Sequence, residues 1–250
     1  MRSTTAILLV LLAGAWNFSA AAQTPQPPAA TARTVIAATK LASVVDEPLK
    51  FRALSVTLAP GQQEAVTTFD GIFYQLVGTA EVSVGGETTP LSTGGGVFTA
   101  GGQSAVLKAT GSGPSTSLYF VLSPARDGGG QGTPTSGNVK ELYSTAQPIA
   151  GLKPGRHDLN MTRVTFPPNM PSNAPHHRTG AALYYVISGA GANTVEDKTE
   201  MREAGTFIYE PGGLVHQWGN PGTTPLTFLT FNINLEGMPA VASGAPATSQ

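Results

Sequence analysis

Gly205-Thr-Phe-Ile-Tyr-Glu210-Pro211-Gly-Gly213-Leu-Val-His216-Gln-Trp218-Gly-Asn220 is the stretch whose reading decides the fold. Phe207-Ile-Tyr209 is β-prone, Pro211-Gly-Gly213 supplies turn chemistry, and Leu214 to Trp218 restarts a strand. The pattern is strand, tight turn, strand, with a histidine three residues past the turn glycine. A histidine just inside the mouth of a β-barrel faces a pocket. The chain has only 4 histidines in 250 residues. Two others, His176 and His177, lie upstream, and histidines on neighbouring strands are the skeleton of a metal or small-ligand site.

Working outward, hydrophobic residues make up 40% of the chain, enough for a packed core, while charged residues are only 12%. That is about half the usual charged share. A net charge of −1 without Lys/Arg clusters argues against a nucleic-acid partner. Gly (30) and Pro (20) are abundant and helical periodicity is scarce, which favours an all-β chain rich in turns. There is no Cys, so neither disulfides, thiol catalysis nor thiolate ligands are available.

Residues 1–22 read as a secretory signal peptide: Arg2, an apolar run from Ala6 to Ala13 too short to span a bilayer, and an Ala20-Ala-Ala22 cleavage site. The expected mature protein is periplasmic or secreted, with no stable membrane anchor. Residues 23–37 read as a disordered Pro/Ala/Thr leader, 38–126 as one barrel, 127–139 as a Gly/Ser/Thr linker, 140–237 as a second barrel, and 238–250 as a disordered tail. Short strands are expected at 51–58, 72–77, 80–84, 96–99, 105–109 and 118–122. A second series is expected at 161–166, 181–187, 192–195, 205–209, 214–218 and 226–232. The halves repeat: Gly71-Ile-Phe-Tyr-Gln-Leu-Val-Gly78 aligns with Ala182-Leu-Tyr-Tyr-Val-Ile-Ser-Gly189, at an offset near 110 residues. A duplicated, short-stranded unit of this size suits a jelly-roll barrel.

Gly205, Pro211, Gly213, His216 and Asn220 fill every fixed position of the second cupin motif, G-x5-P-x-G-x2-H-x3-N, and here the chain resembles the cupins. The resemblance implies two tandem double-stranded β-helix barrels, a bicupin, with a divergent N-terminal copy. The first cupin motif, G-x5-H-x-H-x3-E-x6-G, is degenerate. Counting back from Gly189, its glutamate position is Ala182, its second histidine is Arg178, its first histidine is His176, and Met170 takes the leading glycine. In the family, those three side chains join the second-motif histidine around one metal. The resemblance therefore implies His176 and His216 as metal ligands, with His177 added if a bulge turns it inward. The metal would be Mn, Fe, Ni, Cu or Zn, or none is bound. On a strand, His176, Arg178 and Ala182 share one face. A guanidinium cannot ligate a cation and repels it.

The alternative is a metal-free pocket in which Arg178 holds an anionic small molecule, bounded by Tyr184, Gln217 and Trp218. Tyr184 and Trp218 also read as barrel wall. His157 reads as a surface-loop residue, and Asn160-Met-Thr162 as a chance glycosylation sequon. The N-terminal copy has no histidine, and Gly71 stands at its glutamate position. Three functions follow as expectations. The first is a metal-dependent enzyme (dioxygenase-like, isomerase or hydrolase), the second an anion-binding protein, and the third a structural protein with a vestigial pocket. Family analogy adds a homodimer.

Overall fold

The computed structural model describes residues 30–44, 47–126, 136–244 and 246. The expected signal peptide, the leader up to residue 29 and most of the expected linker lie outside the described residues. Among those described there is no helix. The first half runs β1 (Ala32–Leu41), β2 (Leu49–Leu58), β3 (Gln63–Thr67), β4 (Asp70–Val77), β5 (Thr79–Val84), β6 (Glu87–Ser92), β7 (Gly96–Thr99), β8 (Ser104–Ala109) and β9 (Ser115–Pro124). The second runs β10 (Val139–Ser144), β11 (His157–Phe166), β12 (His176–Arg178), β13 (Ala181–Ser188), β14 (Ala190–Val195), β15 (Lys198–Glu203), β16 (Phe207–Glu210), β17 (Val215–Gly219), β18 (Leu226–Leu235) and β19 (Val241–Ser243).

Four antiparallel sheets pair into two jelly-roll barrels. The N-terminal barrel stacks β10-β2-β9-β4-β7 on β3-β8-β5-β6, and the C-terminal barrel stacks β1-β11-β18-β13-β16 on β15-β14-β17-β12-β19. The repeat extends to details. Asp70, Glu87, Ser104 and Ser115 open strands whose counterparts open 111 residues later, at Ala181, Lys198, Val215 and Leu226. The register shift between Gln75 and Val77 recurs between Val186 and Ser188 at the same offset.

β9 and β18 show why the halves stay together. Leu118-Tyr-Phe-Val-Leu122 is a continuous apolar run, the mark of a strand buried on both faces. Tyr119 and Val121 point into the N-terminal barrel, while Leu118, Phe120 and Leu122 point at the other barrel. In β18, Phe228 points inward and Leu229, Phe231 and Ile233 point back across the interface. Phe231 meets Phe51 and Phe120 with ring centroids 5.6 and 5.9 Å apart. The most extensive core thus lies between the barrels.

The strands at the ends of the halves are exchanged, and this corrects the expected boundaries. Residues 32–37, read as disordered leader, belong to β1, which pairs with β11 of the C-terminal barrel. β10, read as the start of that barrel, pairs with β2 of the N-terminal one. Residues 241–243, read as tail, pair with β12. Each closes a sheet edge through backbone hydrogen bonds, which composition does not reveal. His157 is buried at 1% exposure at the head of β11, not on a surface loop. Inside the N-terminal barrel, a Cβ on Gly71 would sit 2.5 Å from Phe120 O and 2.9 Å from the Tyr119 ring. Tyr119 stacks on Phe73 at 3.8 Å, and burial pushes its phenol up to about 12. Side chains fill the space that a glutamate at position 71 would need.

Candidate functional site

The C-terminal barrel gathers its polar side chains where β12, β16, β17 and β18 meet. The His176–Arg178 segment is placed by pairing on both edges, His176 opposite His216 of β17 and opposite Ser243 of β19. The chain then changes sheet at Gly180. A Cβ there would lie 2.0 Å from Ile233 O, so only glycine lets this corner press against β18. Gly213, at φ +80°, turns β16 into β17 and donates its N–H to Arg178 O at 2.9 Å.

Glu210 is the residue that sequence reasoning missed. It is fully buried and stands directly across the β13–β16 ladder from Ala182, the vacated glutamate position. Directly opposed residues share a face, so the carboxylate enters the same space from the neighbouring strand. The signal was in the stretch that decided the fold: Glu210 is the only charged residue between Gly205 and Asn220.

Its partners define the site. Arg178 Nε donates to Glu210 Oε2 at 3.0 Å, and Trp218 Nε1–H donates to Oε1 at 3.2 Å. Arg178 Nη1 donates to Asn232 Oδ1 at 3.0 Å, and the guanidinium lies 4.9 Å from the Tyr184 ring centroid. Asn232 Nδ2 continues the chain to Asn160 Oδ1 at 2.9 Å. The sequon asparagine is therefore part of this interior network. Burial lowers the Arg178 pKa and Glu210 raises it, leaving a buried, charge-compensated pair.

His216 is buried at 1% exposure, with its ring centroid 4.2 Å from that of His176. The Nδ1 atoms of His176 and His216 face the carbonyls of Ala174 and Leu214 at 2.9 and 3.1 Å. A carbonyl only accepts, so Nδ1 carries the proton in both rings and Nε2 presents a lone pair when neutral. His216 Nε2 lies 3.1 Å from Glu210 Oε2, within ion-pair reach, yet it makes no hydrogen bond of acceptable geometry. Burial pushes the His216 pKa down, against the pull of Glu210, so the ring is neutral near pH 7.

A cavity of about 240 Å³ opens beside this network. Of the residues singled out in the sequence, it brings together His176, Arg178, Tyr184 and Trp218. It does not include His177, whose Nδ1 meets Gly244 O at 2.8 Å, or Gln217, whose amide donates to Asn173 O at 2.7 Å. Both lie on the odd-numbered face of their strands, away from the cavity. His216 sits behind His176 and contacts Glu210. No bulge turns His177 inward. The cavity wall adds Arg33 of β1, with Asn160, Thr162, Thr230 and Asn232, and it contains no Asp or Glu. Arg33 was missed because residues 23–37 were read as leader. Its β-branched neighbours Thr34-Val-Ile36 were the available signal.

The metal that the fold family implies does not fit this donor set. The single carboxylate is already held by Arg178, whose fixed positive charge stands at the second-histidine position. Among the described residues no group of three or more His, Asp or Glu side chains is arranged to hold a metal ion.

Residues 162–232 match the family model of the cupin domain. No sequence among the curated proteins matches the chain. Among solved structures, Bacillus subtilis oxalate decarboxylase aligns over 88% of this chain and 80% of its own, at 16% identity and a TM-score of 0.52. That structure concerns the enzyme's Mn(II) centers. The same enzyme at pH 4.6 aligns over 82% of this chain and 73% of its own, at 16% identity and a TM-score of 0.53. AerE from Microcystis aeruginosa aligns over 79% of this chain and 97% of its own, at 14% identity and a TM-score of 0.51. The C-terminal half therefore carries a cupin domain, and the chain as a whole has the all-β, two-barrel fold of these structural neighbours.

Proposed function

We propose that the C-terminal barrel is a binding pocket for a small anionic molecule, anchored by Arg178 without a metal. One observation carries this reading: a buried guanidinium, oriented through Nε and Nη1 by Glu210 and Asn232, lines a cavity whose walls contain no carboxylate. Nη2 is left without a partner among the described residues, so a ligand oxygen has a donor ready. The Thr162 and Thr230 hydroxyls supply further hydrogen bonds, and Tyr184, Trp218 and Phe228 supply apolar wall, the usual composition of a small-molecule site. The metal-dependent enzyme reading is supported by the fold and the Mn-containing neighbour, and opposed by the Arg178–Glu210 pair. With the signal peptide expected at residues 1–22, the pocket would work in an exported protein.

The test is a thermal-shift titration of the full chain with small carboxylates. Binding predicts a saturable rise in Tm that disappears in Arg178→Met/Glu210→Gln, a double variant that removes both charges together and leaves no uncompensated ion. A rise that survives in the double variant would refute the assignment to Arg178.

A further inference from the structure

Arg33 belongs to the exchanged strand β1, at the other end of the chain from the rest of the pocket, yet its side chain lines the same cavity as Arg178. Among the described residues it has no ion-pair or hydrogen-bond partner. By contrast Arg178 is satisfied on two of its three nitrogens. We propose that Arg33 and Arg178 form a two-point clamp for a dianionic ligand, one anionic group at each guanidinium. The clamp is complete only because β1 crosses from the N-terminal half. This rests on the anion-pocket reading above and extends it to a substrate class and a second anchoring residue.

Three observations converge on the clamp. First, Arg33 contributes to the lowering of the Arg178 pKa, so the two cations feel each other across the cavity and no acid on the wall offsets Arg33. A ligand that brings a negative charge to each end gains a Coulombic contact at both cations, and one with a single charge gains only one. Second, the register is fixed. Arg33 pairs with Val164, and Val35 with Thr162. Moving inward from the β1 edge, the next strands carry Thr162 and Asn160 of β11 and then, directly opposite them, Thr230 and Asn232 of β18, all on the cavity wall. The Thr162 and Thr230 hydroxyls therefore lie between the rung of Arg33 and the rung of Asn160 and Asn232, whose amides hold Arg178, and this is where the middle of a ligand would rest. Third, about 240 Å³ is the space of roughly eight waters, enough for a chain of four or five carbons with an anionic group at each end.

The probes are succinate, butyrate and inorganic phosphate, titrated calorimetrically against the full chain and against Arg33→Ala and Arg33→Gln. Arg33 is solvent-exposed on β1, so these variants should keep the wild-type melting temperature. The clamp predicts that succinate binds about tenfold or more tightly than butyrate to the wild-type chain. In both Arg33 variants that advantage should fall to within about twofold, with butyrate affinity nearly unchanged. It also predicts that phosphate, which concentrates its charge on one centre, shows no such dependence on Arg33. A succinate advantage that persists in the Arg33 variants overturns the clamp and leaves the Arg178 pocket standing. Failure of all three probes to bind the wild-type chain overturns the anion-pocket reading itself.

Discussion

Replacing Arg178 by histidine should convert the pocket into a metal site. Nε2 of a histidine is as many bonds from Cα as Nε of an arginine. In this structure Arg178 Nε lies 3.0 Å from Glu210 Oε2, and His216 Nε2 lies 3.1 Å from the same oxygen. Two donors about 2.1 Å from one metal, at 90–109° to each other, are separated by about 3.0–3.4 Å. Glu210 and His216 are thus already spaced as co-ligands, and Arg178→His places a third donor at matching distance. His176, in ring contact with His216, is the fourth. The fixed cation that opposes a metal goes in the same step. Expected are about one equivalent of Zn(II) or Mn(II) per chain by elemental analysis and a tetrahedral Co(II) visible spectrum. At metal a hundredfold above Kd, stabilisation would be about 2.7 kcal/mol. For a chain of this size that raises Tm by roughly 5–10 °C, reversed by chelator. The wild-type chain should show none of this. The reasoning is refuted if folded Arg178→His, with a wild-type circular-dichroism spectrum, takes up no metal. It is equally refuted if the wild-type chain binds stoichiometric metal with Arg178 in place.

Further predictions follow from the same contacts. Glu210→Ala leaves the Arg178 charge buried and unpaired and should cost about 3–5 kcal/mol by denaturant melts, whereas Arg178→Met/Glu210→Gln should cost clearly less. His216 has its folded pKa depressed below the unfolded value, so the unfolded chain takes up the proton first. Stability from this residue should hold above about pH 6.5 and fall as pH drops through and below that value, and His216→Gln should flatten the profile measured between pH 5 and 8. Gly180→Ala drives a Cβ into Ile233 O and should lower Tm sharply or abolish folding. Gly113→Ala, with nothing within 4 Å and no positive φ, is the control and should change Tm little.

Much of the fold is legible in the sequence alone. Strands with apolar character, such as Ile72–Val77 and Leu226–Asn232, were found close to their observed bounds because core burial writes itself into side-chain type. Strands that went unread were polar and exposed: Lys-Thr-Glu-Met-Arg-Glu of β15 is almost wholly solvent-facing, as is most of β1 up to Val35. Such strands are held chiefly by backbone hydrogen bonds, which leave at most a weak composition signal. The candidate site divided in the same way. His176 and Arg178 could be placed by motif spacing and two-residue alternation. Glu210 could not, because its role depends on lying across a ladder from Ala182, 28 positions earlier in the chain.

By itself the sequence determined the duplicated all-β barrel, the histidine at position 216 in a cupin frame, and the loss of the usual ligands at 178 and 182. Those are local matters of residue type and spacing. Tertiary structure alone decided that the missing carboxylate returns on β16 and is claimed by Arg178, and that β1 crosses to bring Arg33 to the cavity. The physical reason is that charge compensation acts over about 3 Å of space and is indifferent to distance along the chain. Which charges meet is set by strand register and exchange.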